Sequence, residues 1–189
     1  LFDFGLHPDF VSNRQGRTPN EVMARLLSIL PDAEMVRMHS LYHSYGILCM
    51  LANEFKIKTD LSLYLSCTPN LQPHFLHLER GGKLLRLPCF WEDDFEMVDP
   101  SPSWSFRDAK YHVPGLKIFN FHPIYIYLNS RSPEGYQTLK RMNPTVSEAA
   151  LKPFVRSGRG AGTLLNELIE KLTGTRVSEV ASIYLAREL

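Results

Sequence analysis

The sequence predicts an α/β fold in which parallel strands alternate with covering helices. Two observations carry this expectation. Apolar runs of strand length and apolar stripes of helical period alternate strand, helix, strand, helix, strand over the first 65 residues or so. Histidines follow the ends of three predicted strands, where α/β folds gather their chemistry.

The elements follow in order. Leu1-Phe2-Asp3-Phe4-Gly5-Leu6 reads as a strand, apolar on both sides, and 7–17 as a loop. Such a strand belongs inside a sheet and needs neighbours on both edges. The expectation is an upstream segment of roughly 40–60 residues, one or two β-α units, with a carboxylate at a strand end. Thr18-Pro19-Asn20-Glu21 supplies an N-cap, a proline at the first helical position and a Glu at the third. Val22, Leu26, Ile29 and Leu30 continue that helix and Pro31 stops it. Met35 to Met38 is a short strand, Tyr45 to Phe55 a helix with Ile47, Leu48, Leu51 and Phe55 on one side, and Lys58 to Leu65 a strand. Phe75 to Glu79 and Lys83 to Leu87 flank Arg80-Gly81-Gly82 as a hairpin. Asp99 to Arg107, rich in Pro and Ser, reads as a surface loop. A strand is expected before His122 and a second extended piece after Pro123. The tail is helical over about 133–142, 147–155, 162–172 and 178–187.

Composition narrows the function. Hydrophobic residues at 44% and charged residues at 22% exclude a disordered chain, a coiled coil and a collagen repeat. With 189 residues the expectation is a single domain over 1–189. Lys and Arg total 21 against 20 Asp and Glu, so no basic excess points to nucleic acid. Ile118 to Ser130 is too short to span a bilayer, and no signal pattern opens the chain. Cys49, Cys67 and Cys89 are scattered, which suits buried thiols and a reducing compartment, so a cytoplasmic location is expected.

His7, His39 and His122 are the candidate chemical residues. Imidazole is a common zinc ligand, and hydrolytic zinc sites use three protein ligands with one open position. His39 and His43 form H-S-x-x-H; on a helix the two would share a face, and otherwise His43 is an outer residue near the next helix. Phe90-Trp91-Glu92-Asp93-Asp94 reads either as a solvated loop or as a substrate-binding rim, with Trp91 stacked on a sugar and Glu92, Asp93 or Asp94 orienting a ligand imidazole. Arg37 could hold a carboxylate in its fork. Gly158, Gly160 and Gly162 lack the strand before and the Lys-Ser or Lys-Thr after that a phosphate loop needs.

The blocks Gly5-Leu6-His7-Pro8, Val36-Arg37-Met38-His39-Ser40, Arg86-Leu87-Pro88-Cys89-Phe90-Trp91-Glu92-Asp93-Asp94 and Pro114-Gly115-Leu116-Lys117-Ile118-Phe119-Asn120-Phe121-His122-Pro123-Ile124 stand in an order that resembles the WbmS-like branch of the polysaccharide deacetylase superfamily. The resemblance spans roughly residues 3–130. It implies an irregular β/α barrel, without its first strand here, and metal-dependent removal of acetyl groups from a carbohydrate. It implies a divalent metal, zinc by expectation, with His7 as ligand, Arg37 shaping the groove and His122 giving a proton. His39, in the place of a groove proline, is expected to join His7 on the cation. Val11 stands where a second ligand histidine would be, and an alternative alignment pairs His39 with His43. The two acidic residues of the superfamily's first strand have no counterpart in this chain. The competing readings are an inactive glycan-binding relative and a metal-dependent amidase for a small substrate.

Overall fold

The structure is a computed structural model that describes residues 3–11, 17–142 and 147–188. Leu1 and Phe2 of the first expected strand lie outside the described residues. The chain divides into two compact α/β units. The first comprises Leu1–Leu65, Asn70–Cys89 and Thr175–Leu189, and the second Ser66–Pro69 and Phe90–Gly174.

In the first unit, α1 (Pro19–Ile29) starts as its sequence predicts. Thr18 Oγ1 accepts from the Glu21 N–H, and the Glu21 carboxylate accepts from the Thr18 N–H at 2.6 Å. Two orphan donors of the first turn are thereby satisfied. The buried stripe differs from the expected one. Met23 is fully buried with Leu26, Leu27 and Leu30 packed beside it, whereas Ile29 is 71% exposed. Those four positions fall at i, i+3, i+4 and i+7, one face of the helix. Next come β1 (Met35–Val36), α2 (Tyr45–Asn53), β2 (Thr59–Asp60), β3 (His74–His77) and β4 (Lys83–Arg86). Ser44 caps α2, which buries Ile47, Leu48, Met50 and Leu51.

The sheet order is β1-β2-β4-β3, with β1, β2 and β4 parallel and β3 antiparallel to β4. The expected hairpin is present, closed by a 3₁₀ turn at Glu79–Gly81. Residues 3–6 contribute a single parallel bridge, Leu6 to Val36, rather than a full strand. The registers Leu6↔Val36, Val36↔Asp60 and Asp60↔Arg86 run in one row across the sheet. This row lies at the carboxyl ends of three parallel strands, and the residues just beyond it include His7, Arg37 and Ser62. The strands expected at Met35 to Met38 and Lys58 to Leu65 are shorter because the chain bends after the row, where the Met38 N–H turns to Ser62 Oγ.

The second unit holds β5 (Trp91–Glu92), α3 (Asp93–Glu96), β6 (Phe119–Asn120), α4 (Pro123–Leu128), α5 (Glu134–Met142), α6 (Glu148–Leu151) and α7 (Ala161–Lys171). β5 and β6 pair in parallel. The segment after His122 is helical, not extended. Pro123 occupies the first helical turn, where its missing N–H costs nothing, and Ile124 and Leu128 sit at i and i+4 on one buried cluster. The loop at 99–107 is not all surface, since Trp104 and Phe106 are buried. Last in the chain, α8 (Val177–Leu185) returns to the first unit, where the Asp3 carboxylate accepts from the Ser178 N–H at 2.9 Å.

Candidate active site

In the first unit the bend after the register row brings His7 and His39 together. His7 Nδ1 lies 2.7 Å from the Arg37 carbonyl, an acceptor only, so that nitrogen carries the proton. The remaining nitrogen, Nε2, faces His39 Nδ1 at 3.3 Å, with ring centroids 5.4 Å apart and planes at 86°. Two nitrogens each about 2.0–2.1 Å from a tetrahedral zinc ion stand about 3.3–3.4 Å apart, so the pair has ligand spacing. A main-chain carbonyl fixing the outer nitrogen is the usual support of a ligating imidazole. Arg37 contributes that carbonyl, and its N–H donates to Leu6 O at 2.9 Å. A cavity of about 240 Å³ adjoins His7, with Leu6, Val36, Arg37 and Leu61 in its wall.

His43 is separated from this pair. His39–Leu41 is a 3₁₀ turn with Ser40 and Leu41 at φ 53° and 54°, so H-S-x-x-H is not one helical face. His43 Nδ1 donates to Leu41 O at 2.8 Å, and its Nε2 accepts at 3.4 Å from Arg86 Nη2. Arg86 Nε donates to Asp60 Oδ2 at 2.7 Å, and the Ser62 N–H donates to Asp60 Oδ1 at 2.9 Å. Asp60 is fully buried and Arg86 is 8% exposed. The sequence reading did not find this ion pair, although Arg86-Leu87-Pro88 was part of the resemblance. Its partner stands 26 residues away, joined only through sheet register.

In the second unit the Asp93 carboxylate clamps His122 at two points. Oδ2 accepts the His122 N–H at 2.7 Å, and Oδ1 meets ring Nδ1 at 2.6 Å. The hydrogen bond to Asp93 raises the His122 pKa above its usual value, against the opposing effect of burial; the charges of Asp93, Asp94 and Glu92 add to the rise. Nε2 is left to carry a transferable proton or to face a cation. Ligating atoms of Glu92, Asp94 and His122 lie within 4.8 Å of one another, close enough for a cation in principle.

The expected rim is rearranged. Asp93 has no exposed surface, so it orients His122 rather than touching a substrate. Trp91 is 1% exposed, packed against Trp104, Tyr111, Phe119 and Phe121, and its Nε1–H donates to Glu96 at 2.7 Å. No face of that ring is open to a sugar. Glu92 is buried at 3% exposure and Asp94 is half-buried. The parallel pairing of β5 and β6 buries the strand that carries Trp91, which alternation could not reveal in a two-residue strand.

The sequence model for the WbmS-like polysaccharide deacetylases matches residues 1–140. Among solved structures, the chain is similar to a Bordetella bronchiseptica protein, WbmS, named as a candidate polysaccharide deacetylase involved in O-antigen biosynthesis. The two share 26% identity at a TM-score of 0.74, over 90% of this chain and 70% of that one. No curated protein matches the chain.

Proposed function

The chain belongs to the WbmS-like polysaccharide deacetylase family, and from that membership we propose that it is a metal-dependent hydrolase removing acetyl groups from a carbohydrate, in the making of a surface polysaccharide. The reading takes the fold to be an irregular β/α barrel, and in the first unit the parallel β1-β2-β4 sheet supports it. One observation carries it: the His7–His39 pair, spaced at 3.3 Å and braced by the Arg37 carbonyl. Two imidazole nitrogens favour zinc over the hard oxygen-seeking cations. When bound there, a divalent cation supplies polarisation of the acyl carbonyl and a bound water with a pKa of about 7.

The remaining roles belong to the chain itself. The cavity beside His7, with Leu6, Val36 and Leu61 in its wall, offers an apolar surface to an acyl methyl. His122 is the proton donor. Asp93 holds Nδ1–H, favours the charged ring and leaves Nε2–H to pass to the departing nitrogen or oxygen.

A second reading, a glycan-binding relative without turnover, is favoured by one fact. Among the described residues the sole group of three ligating side chains is Glu92, Asp94 and His122, and none forms around His7 and His39. Metal content decides between them. The full chain, dialysed and analysed by plasma mass spectrometry, should hold about one zinc per chain. His7→Ala and His39→Ala should lose it, and His122→Ala should keep it while acetate release from acetylated oligosaccharides stops. Metal lost only with Glu92→Gln or His122→Ala would move the centre to the acidic group. No metal and no acetate release in the parent protein would leave the binding reading.

A further inference from the structure

We propose that the second unit carries a subsite for an acidic sugar residue, in the pocket between the end of α4 and the start of α5. Its identification as a carbohydrate site rests on the deacetylase reading; its preference for negative charge rests on the pocket alone. The pocket holds about 280 Å³. That is room for about nine waters at the ~30 Å³ each fills in the liquid, and so for one sugar ring.

The lining is mixed in the way a sugar requires. Ser132 and Glu134 offer hydroxyl and carboxylate oxygens, and Phe154 offers an apolar ring to the C–H face of a pyranose. The charge is uneven. Arg131 and Arg156 both line the pocket, and neither forms an ion pair among the described residues. Glu134 is the one acidic residue in the wall, and it is already engaged. Its carboxylate accepts from the Ser132 hydroxyl and from its own N–H, which hold its pKa below the ordinary glutamate range. Two arginines therefore line the space against one carboxylate. A guanidinium fork matches the two oxygens of a ligand carboxylate.

Ser130 fixes the wall through its backbone. It lies in the pocket wall. Its N–H donates to Tyr125 O at 2.9 Å, and its carbonyl accepts from the Ala161 N–H at 2.8 Å.

The experiment is a titration of the full, ¹⁵N-labelled chain, followed by amide shifts. D-glucuronate should move the amides of Ser130, Ser132 and Gly135 saturably, and D-glucose should bind at least tenfold more weakly. Arg131→Gln with Arg156→Gln should remove the glucuronate response while far-UV circular dichroism stays that of the parent. If the double variant does not fold, Arg156→Gln alone should weaken glucuronate and leave glucose unchanged. Three results overturn the proposal: no saturable shift with glucuronate, equal affinity for glucose, or the same shifts and affinity with acetate or inorganic phosphate. Acetate release that persists without any glucuronate response sinks the subsite alone. Glucuronate binding here in a chain that holds no metal and releases no acetate sinks the deacetylase reading and keeps the subsite.

Discussion

At the scale of single residues, the buried carboxylates of Asp93 and Asp60 do different work. Asp93 sets the protonation of His122. Because the folded pKa of His122 is raised, the stabilisation from this pair is fully present below about pH 6.5, the unfolded histidine value. It is lost as pH rises through the higher folded value. Asp93→Asn removes the charge, so His122 should titrate at lower pH in a ring-proton NMR titration, and the alkaline limb of acetate release should move the same way. An unchanged titration would show that Asp93 does not govern the ring. His122→Ala should lower kcat by about 10²–10⁴-fold, the usual contribution of a positioned acid. Asp60 instead neutralises Arg86 inside the first unit. Asp60→Asn leaves a buried guanidinium without its counter-charge and should cost about 3–5 kcal/mol in urea unfolding. The double change Asp60→Leu with Arg86→Met should recover most of that loss, since a buried pair can be replaced by apolar side chains at little cost. A loss below about 1 kcal/mol in Asp60→Asn would mean that the pair contributes little.

At the scale of elements, α7 is docked on α4 by the absence of side chains. A Cβ at Gly160 would stand 2.2 Å from the Asn129 carbonyl oxygen, and one at Gly162 would stand 2.7 Å from that of Ile126. Both obstacles are backbone and cannot rotate away. Asn129 itself is in the left-handed region at φ 48° and ties the contact together, its amide donating to Arg156 O and Gly158 O while its side-chain oxygen accepts from the Thr163 N–H. Gly160→Ala should therefore destabilise the second unit by about 1–3 kcal/mol, the range for overpacking. Tryptophan fluorescence in a urea series checks it, because Trp91 and Trp104 are the chain's two tryptophans and both lie in that unit. Gly158 is the control: nothing lies within 4 Å of a Cβ there, but its φ of 83° makes its cost conformational rather than steric. Of the glycines that resemble a phosphate loop in composition, Gly160 and Gly162 thus serve close helix packing.

At the scale of the whole molecule, metal binding should be visible as stability. A ligand at 100 times its Kd adds about 2.7 kcal/mol to the state that binds it. For a chain of this size that corresponds to a rise in Tm of roughly 5–10 °C. Zinc should raise the far-UV transition of the parent chain by about this amount, chelator should reverse it, and His39→Ala should show no rise. An equal rise in His39→Ala would remove His39 from the cation. Among the described residues no helix is long and apolar enough to cross a membrane.

Features made by neighbours in the chain were legible from residue order alone. Thr18 and Glu21 close the cap of α1, and Arg80-Gly81 turns the hairpin between β3 and β4. The helices of the tail start and stop within a few residues of their expected ends. These rest on contacts over three or four positions, which composition and period encode directly. The nearness of His7 and His39 could be anticipated because both follow neighbouring parallel strands. The tertiary structure alone decided the rest. It placed the Asp93 carboxylate on His122 across 29 residues and Arg86 on Asp60 across 26. It folded Pro123–Leu128 into a helix and buried both faces of Trp91. Each of these depends on which strands pair and in what register. That choice is governed by burial summed over a whole unit, and no local pattern of residues records it.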